Sequence, residues 1–405
     1  MPAYRLRQIS SPKAAMIVAC VALFTDMFIY GLVIPVLPLL PAAVDAGPTA
    51  TGMLFASYAA AMLLVTPIAG VLVDRRGPRL PMLIGLIGLA GATLLFAIGG
   101  PYWLLLVARV LQGAAAGLAW VASLSLIAAT VPLERRGIAM GMAMSMVSLG
   151  ILVGPPIGGL LVESFGHVVP FLLAAALAIV DGIARLVFVR GDRPAPHEPT
   201  SPLAVLRVRG TVPVIVVVLI SAAMIAAIEP LLPLHLTRTF GATPLGIGLL
   251  FGLTVIVGAI LNPVVGSLLG RVHARPLVLA GIVAAAVGLV LLAFAPSLWM
   301  VVAGMVVLGV AVALLSAPGA TLIGLQGQQF DPPAIGGSYT LFNLAYAVGL
   351  MAGPAVSGFL AGAFSFAVAF VVTAAAILVA GLFASARLPS GLLSRPTAPV
   401  VPPAP

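Results

Sequence analysis

The sequence predicts an all-α membrane protein of twelve spanning helices, arranged as two six-helix bundles related by a parallel repeat. Of its 405 residues 62% are hydrophobic and only 7% are charged, whereas a soluble domain carries roughly 25% charged residues. The apolar residues fall in runs of about twenty, the length a helix needs to cross the hydrocarbon layer. The pattern of the first six runs then recurs in the second six.

The twelve runs are 14–38, 51–73, 80–99, 102–130, 138–162, 169–189, 212–236, 245–269, 276–295, 298–324, 335–362 and 366–386. Each is bounded by helix-stopping or polar residues. DRRGPR separates the second and third runs, PLERRG the fourth and fifth, GRVHARP the eighth and ninth, and QQFDPP the tenth and eleventh. Residues 190–211, rich in Pro, Arg and His, form the long polar interruption and read as a cytoplasmic linker. The organisation expected is a tail (1–13), a six-helix half (14–189), the linker (190–211), a second half (212–386) and a Pro-rich tail (387–405).

A net charge of +9 raises the question of a nucleic-acid partner, but the positions of the positive residues point to membrane orientation instead. With the N-terminus inside, sixteen of the nineteen Lys and Arg residues are cytoplasmic: Arg5, Arg7, Lys13, Arg75, Arg76, Arg79, Arg135, Arg136, Arg190, Arg193, Arg207, Arg209, Arg271, Arg275, Arg387 and Arg395. Arg238 falls outside, and Arg109 and Arg185 lie within spans. Both termini are therefore expected in the cytoplasm, with the chain in a plasma (inner) membrane. Cys20 is the single cysteine, and His167, His197, His235 and His273 are scattered, so no metal site is expected. Ile17 to Cys20 could pass for a lipoprotein cleavage box, but cleavage there would remove half of the first span.

The repeat is visible residue by residue. Pro67, Gly70, Arg75 and Arg79 recur 196 positions later as Pro263, Gly266, Arg271 and Arg275. Pro35 and Pro38, in IPVLPLL, recur after 195 positions as Pro230 and Pro233, in EPLLPLH. Gly154 and Pro155 recur after 199 as Gly353 and Pro354. Two halves in one orientation place a substrate near the midplane between them. Gly70, Asp74, Arg75, Arg76, Gly77 and Arg79, in GVLVDRRGPR, resemble the signature between helices 2 and 3 of the major facilitator superfamily. In that motif a glycine lets helices approach, while the acid and arginines suit a cytoplasmic latch and helix caps. Arg109, Gln112 and Gly113, in ARVLQG, resemble the fourth-helix signature of proton-driven drug antiporters. Gly150, Gly154, Pro155, Gly158 and Gly159, in GILVGPPIGG, resemble their fifth-helix signature. The resemblance implies the major facilitator fold and antiport.

Lys13 is the only lysine and lies in the tail, so no Walker A loop and no ATP site are present. An ion or substrate gradient must supply the energy, with no cofactor, and the repeat favours alternating access over a channel. Ionisable residues within spans are costly and are functional candidates. Asp181 sits four residues before Arg185 and can pair with it structurally. Arg109 shares a helical stripe with Gln112, Ala116, Trp120 and Ser123, which fits either a cavity face or a structural hydrogen-bond donor. Asp26 and Glu229 have no opposite charge on their own helices, and Tyr30, one turn after Asp26, adds an aromatic face for an organic cation. Packing carboxyls are the alternative reading. In the eleventh span Tyr339, Asn343 and Tyr346 form a polar aromatic face, suited to the pathway or to packing.

A closer resemblance covers most of residues 20–360. TDMFIYGLVIPVLP, LFASYAAAML, LVGPPIGGLL, PFLLAAALAIVDG, AIEPLLPLHL and GGSYTLFNLAYAVGLMAGP all look like segments of the vesicular amine transporters. By that similarity Asp26 matches the acid that meets the amine, and Glu229 the seventh-helix acid implicated in transport. Where that family has a helix-2 lysine and a helix-11 aspartate, this sequence has Tyr58 and Asn343. Losing both charges together fits the cost of leaving one buried charge unpaired. The family's helix-10 acid aligns with Gln328, and Asp331 lies three residues on. The expectation is a monomeric proton-coupled exporter of organic cations such as aromatic or amphiphilic amines. Transport of a neutral solute such as a sugar, with Asp26 and Glu229 bonding hydroxyls, is the alternative.

Overall fold

The computed structural model describes residues 12–131, 133–188, 202–269, 271–330 and 335–388. Helices account for almost all of them: α1 (Pro12–Val33), α2 (Pro41–Arg76), α3 (Arg79–Ile98), α4 (Tyr102–Thr130), α5 (Leu133–Phe165) and α6 (Val168–Phe188) form the first half. A short α7 (Pro202–Leu206) lies within the linker. The second half comprises α8 (Thr211–Ala226), α9 (Leu232–Phe240), α10 (Pro244–Leu268), α11 (Ala274–Ala293), α12 (Leu298–Gly327), α13 (Ile335–Ala363) and α14 (Phe366–Ala386). Among the described residues, ten helices are long and apolar enough to cross a membrane, and Val168–Ala184 and Thr211–Ala226 are shorter apolar helices.

Three spans depart from simple rods. The first, expected to run unbroken to residue 38, ends as an α-helix at Val33 and continues as a 3-10 turn at Leu37–Leu39. The seventh, expected to run from 212 to 236, stops at Ala226 and resumes as α9. The reason is the repeated proline pair: Pro35 and Pro230 lack the N–H that a continuing helix needs, and their rings crowd the preceding turn. The second span begins ten residues before its expected start at residue 51, because α2 extends back to Pro41 across a kink at Gly47, whose φ is 83°. Only glycine adopts that conformation readily.

Packing repeats between the halves as the sequence does. α1 packs on α4, α5 and α6, as α8 packs on α12, α13 and α14. α4 meets α2 and α3, as α12 meets α10 and α11. The halves meet along two seams related in the same way, α2 on α13 and α10 on α5. A Cβ on Gly358 would lie 2.8 Å from the Gly52 Cα and from the Pro48 oxygen, so these backbones touch. In the other seam Gly159 abuts the Pro244 carbonyl, Gly248 abuts Pro155, and a Cβ on Gly252 would lie 3.1 Å from Pro156. All of these residues lie in the helix halves remote from the described termini. Toward the termini, Gly70 of α2 and Gly266 of α10 face nothing within 4 Å among the described residues. The backbones of the two seams therefore touch at the far end.

Close approach of two backbones requires the missing side chain, so Gly52→Leu is expected to force the far end of the α2–α13 seam apart. Spin labels at Asp45→Cys and Ala363→Cys, with Cys20 replaced by Ala, would read a longer distance. An unchanged distance distribution would show that the seam does not depend on Gly52.

Candidate functional site: two buried acids beneath aromatic donors

Asp26 lies midway along α1 and is 2% exposed. Helical spacing sets Tyr30 one turn further along the same face. Glu229, also 2% exposed, lies in the break between α8 and α9, where the chain turns before Pro230. Each acid accepts a hydrogen bond from an aromatic side chain. The Trp120 indole N–H donates to Asp26 Oδ2 at 2.7 Å, and the Tyr30 hydroxyl donates to Glu229 Oε2 at 2.7 Å. The first bond joins α4 to α1 within one half. The second joins α1 to the α8–α9 break, and so connects the two halves at the site.

Arg109 is fully buried in α4. Its Nε donates to the Leu54 carbonyl at 3.2 Å and its Nη1 donates to Gln112 Oε1 at 2.6 Å. Its guanidinium lies 5.0 Å from the Phe55 ring centroid, 4.8 Å from Tyr58 and 5.8 Å from Tyr30. A desolvated cation over aromatic rings gains about 2 kcal/mol per good contact. Arg109 is thus a structural donor, and Tyr30, Tyr58 and Glu229 act on its charge electrostatically.

The fifth-helix signature resolves into two faces. A Cβ on Gly150 would lie 2.6 Å from the Phe24 oxygen, on Gly154 2.6 Å from the Phe28 oxygen and on Gly158 2.5 Å from the Leu32 oxygen. These glycines seat α5 against α1, the helix that carries Asp26. Pro155, Pro156 and Gly159 instead face α10 across the seam. Gly113 of the fourth-helix signature packs against the Tyr58 backbone.

The remaining candidates are more dispersed. Tyr346 is acted on electrostatically by Glu229 and stacks on Phe342 at 6.3 Å, so it borders the site. Asn343 is half-buried on the same helix. Tyr339 lies nearer the terminal end, where its hydroxyl would be 3.4 Å from a Cβ on Gly324 of α12. In the GVLVDRRGPR motif, Gly77 closes α2 with a φ of 77°, its N–H donating to the Val73 carbonyl, and Arg79 opens α3. Arg75 and Arg76 are exposed, and Gly70 meets no neighbour within 4 Å among the described residues. The Asp74 side chain, and hence the expected latch, lies outside the described residues. So do the Arg185 side chain, expected to pair with buried Asp181, and the whole of Asp331. Sequence reasoning gave no task to Phe55, although its spacing of three from Tyr58 puts both rings on one face of α2.

The model of the Major Facilitator Superfamily matches residues 19–227 and again 214–404. The chain belongs to the Major Facilitator Superfamily. Among its curated relatives, the chromaffin granule amine transporter of Rattus norvegicus is 32% identical over 317 residues, covering 76% of this chain and 60% of that protein. The synaptic vesicular amine transporter of Mus musculus is 29% identical over 321 residues, covering 78% of this chain and 62% of that one. The chain thus spans about three-fifths of the length of these relatives. Among solved structures of the superfamily fold, the nucleoside transporter NupG superposes with a TM-score of 0.74 at 12% identity, covering 92% of this chain and 99% of that one. A bacterial homologue of the human lysosomal transporter Spinster, inward-facing and occupied, superposes with a TM-score of 0.73 at 15% identity, covering 93% and 94%. At these identities the likeness concerns the fold.

The Trp120–Asp26 bond is open to direct test. Trp103 and Trp299 are 62% and 82% exposed, so replacing both with Phe leaves Trp120 as the sole reporter with little loss of packing. In that background Asp26→Ala removes the acceptor and is expected to shift the Trp120 emission maximum. An identical spectrum would mean that the indole does not bond Asp26.

Proposed function

We propose that this chain is a proton-coupled antiporter that exports organic cations, such as aromatic or amphiphilic amines, by alternating access. It would work as a monomer in a plasma membrane with both termini cytoplasmic. The orientation rests on the distribution of arginines. Amine transport rests on the named activities of the vesicular relatives together with the site's chemistry.

The observation that carries this reading is the pair of buried acids, each bonded to an aromatic donor, at the meeting of the two halves. Charge within a membrane span is costly and marks ion or substrate pathways. A carboxylate beside Trp120 and Tyr30 offers a cation both a counter-charge and ring faces. A proton and a substrate cation compete at Asp26, since each neutralises the same oxygen pair. One monovalent cation taking the place of one proton there would give one-for-one exchange. Glu229, tied to Tyr30 across the halves, would make closure sensitive to the state of the site. The relatives named above are amine transporters, and no observation favours the sugar alternative.

Asp26→Asn keeps the side-chain shape and removes the charge. It is expected to weaken binding of a cation such as tetraphenylphosphonium tenfold or more, which is about 1.4 kcal/mol per factor of ten, and to leave a neutral analogue far less affected. Isothermal titration of both ligands would read the difference. Equal losses for the two would reduce Asp26 to a packing residue.

A further inference from the structure

Tyr58 has no part in the antiport scheme so far, yet it is built into the site. It is 2% exposed, and its hydroxyl has no hydrogen-bond partner among the described residues. A buried hydroxyl left unpaired is costly. The rest of the side chain is tightly held: its ring centroid is 5.1 Å from that of Tyr30, the Arg109 guanidinium lies 4.8 Å from it, and Gly113 of α4 leaves no room for a Cβ against its backbone. Asp26, Arg109 and Glu229 all act electrostatically on the phenol, which places it among the charged groups of the site. A phenol so fixed, with its polar atom unsatisfied, is poised to bond something that the protein itself does not supply.

The groups covering it are the ones a ligand would move. Tyr30 lies against the Tyr58 ring and is only half-buried, as is Trp120 over Asp26. A cation that displaces these donors to reach the carboxylate comes within the neighbourhood of the Tyr58 hydroxyl. There a purely hydrocarbon ligand would leave that hydroxyl unpaired, whereas an oxygen acceptor would satisfy it. Sites that hydrogen-bond a substrate group discriminate strongly against analogues lacking it.

We propose that Tyr58 is a specificity residue whose O–H donates to an acceptor oxygen of the substrate while Asp26 holds its cationic group. The preferred cargo is then an organic cation that also carries a hydroxyl, ether or carbonyl oxygen. This rests on the cation-antiport reading, and the two can fail separately.

The experiment compares phenethylamine with its ring-hydroxylated and ring-methylated derivatives by binding to purified protein. The methyl group matches the hydroxyl in size and lacks the acceptor. In the wild type, at least one hydroxylated amine is expected to bind about tenfold more tightly than its methyl counterpart, about 1.4 kcal/mol. Tyr58→Phe is expected to bring that ratio close to one. In Asp26→Asn all affinities should fall while the ratio persists. A wild-type series with no hydroxyl preference, which needs no variant to measure, would overturn the role of Tyr58. A preference that survives in Tyr58→Phe would overturn it too, and either result leaves the cation reading standing. Failure of every amine to bind the wild type would overturn both.

Discussion

A carboxyl group inside a membrane has no solvent to pair with, and the site is organised around meeting that demand for Asp26 and Glu229. Each receives a short hydrogen bond from an aromatic side chain. An aromatic donor satisfies an oxygen without cancelling its charge. Arg109, buried nearby, is bonded to Leu54 and Gln112 and set over three rings. Held in that way it can compensate one carboxylate without occupying either.

The helices that carry these groups are fixed by backbone contact. Gly150, Gly154 and Gly158 bring α5 onto α1 around Asp26, and Gly113 brings α4 onto α2 at Tyr58. In a bilayer the hydrophobic effect does not drive helices together, so small residues and close packing do that work. The prolines act in the opposite sense. By interrupting the seventh span, Pro230 frees the backbone around Glu229 from helical geometry and lets it turn toward Tyr30.

Much of this was legible in the chain itself. Apolar run length gave the twelve spans, and the offsets between Pro67 and Pro263 or Gly154 and Gly353 gave the parallel halves, because both depend on local composition and order. Asp26, Tyr30, Trp120 and Glu229 stood out because polar groups are conspicuous in apolar runs. Their pairing did not: a bond between residues 199 apart, such as Tyr30 to Glu229, depends on how the halves dock. The same limit hid the two faces of the GPPIGG segment, since which glycine meets α1 and which meets α10 is a question of helix rotation. The breaks at Val33 and Ala226 were signalled by Pro35 and Pro230, but hydropathy carries through them and made the spans look continuous.

The central claim is that a substrate cation and a proton exclude one another at Asp26. The direct measurement is proton release into weakly buffered solution when an organic cation is added to purified protein, scanned over starting pH. The account predicts a pH range in which release approaches one proton per bound cation, kept in Glu229→Gln and lost in Asp26→Asn. Saturable cation binding with no proton release at any pH, or release that survives in Asp26→Asn, would contradict it.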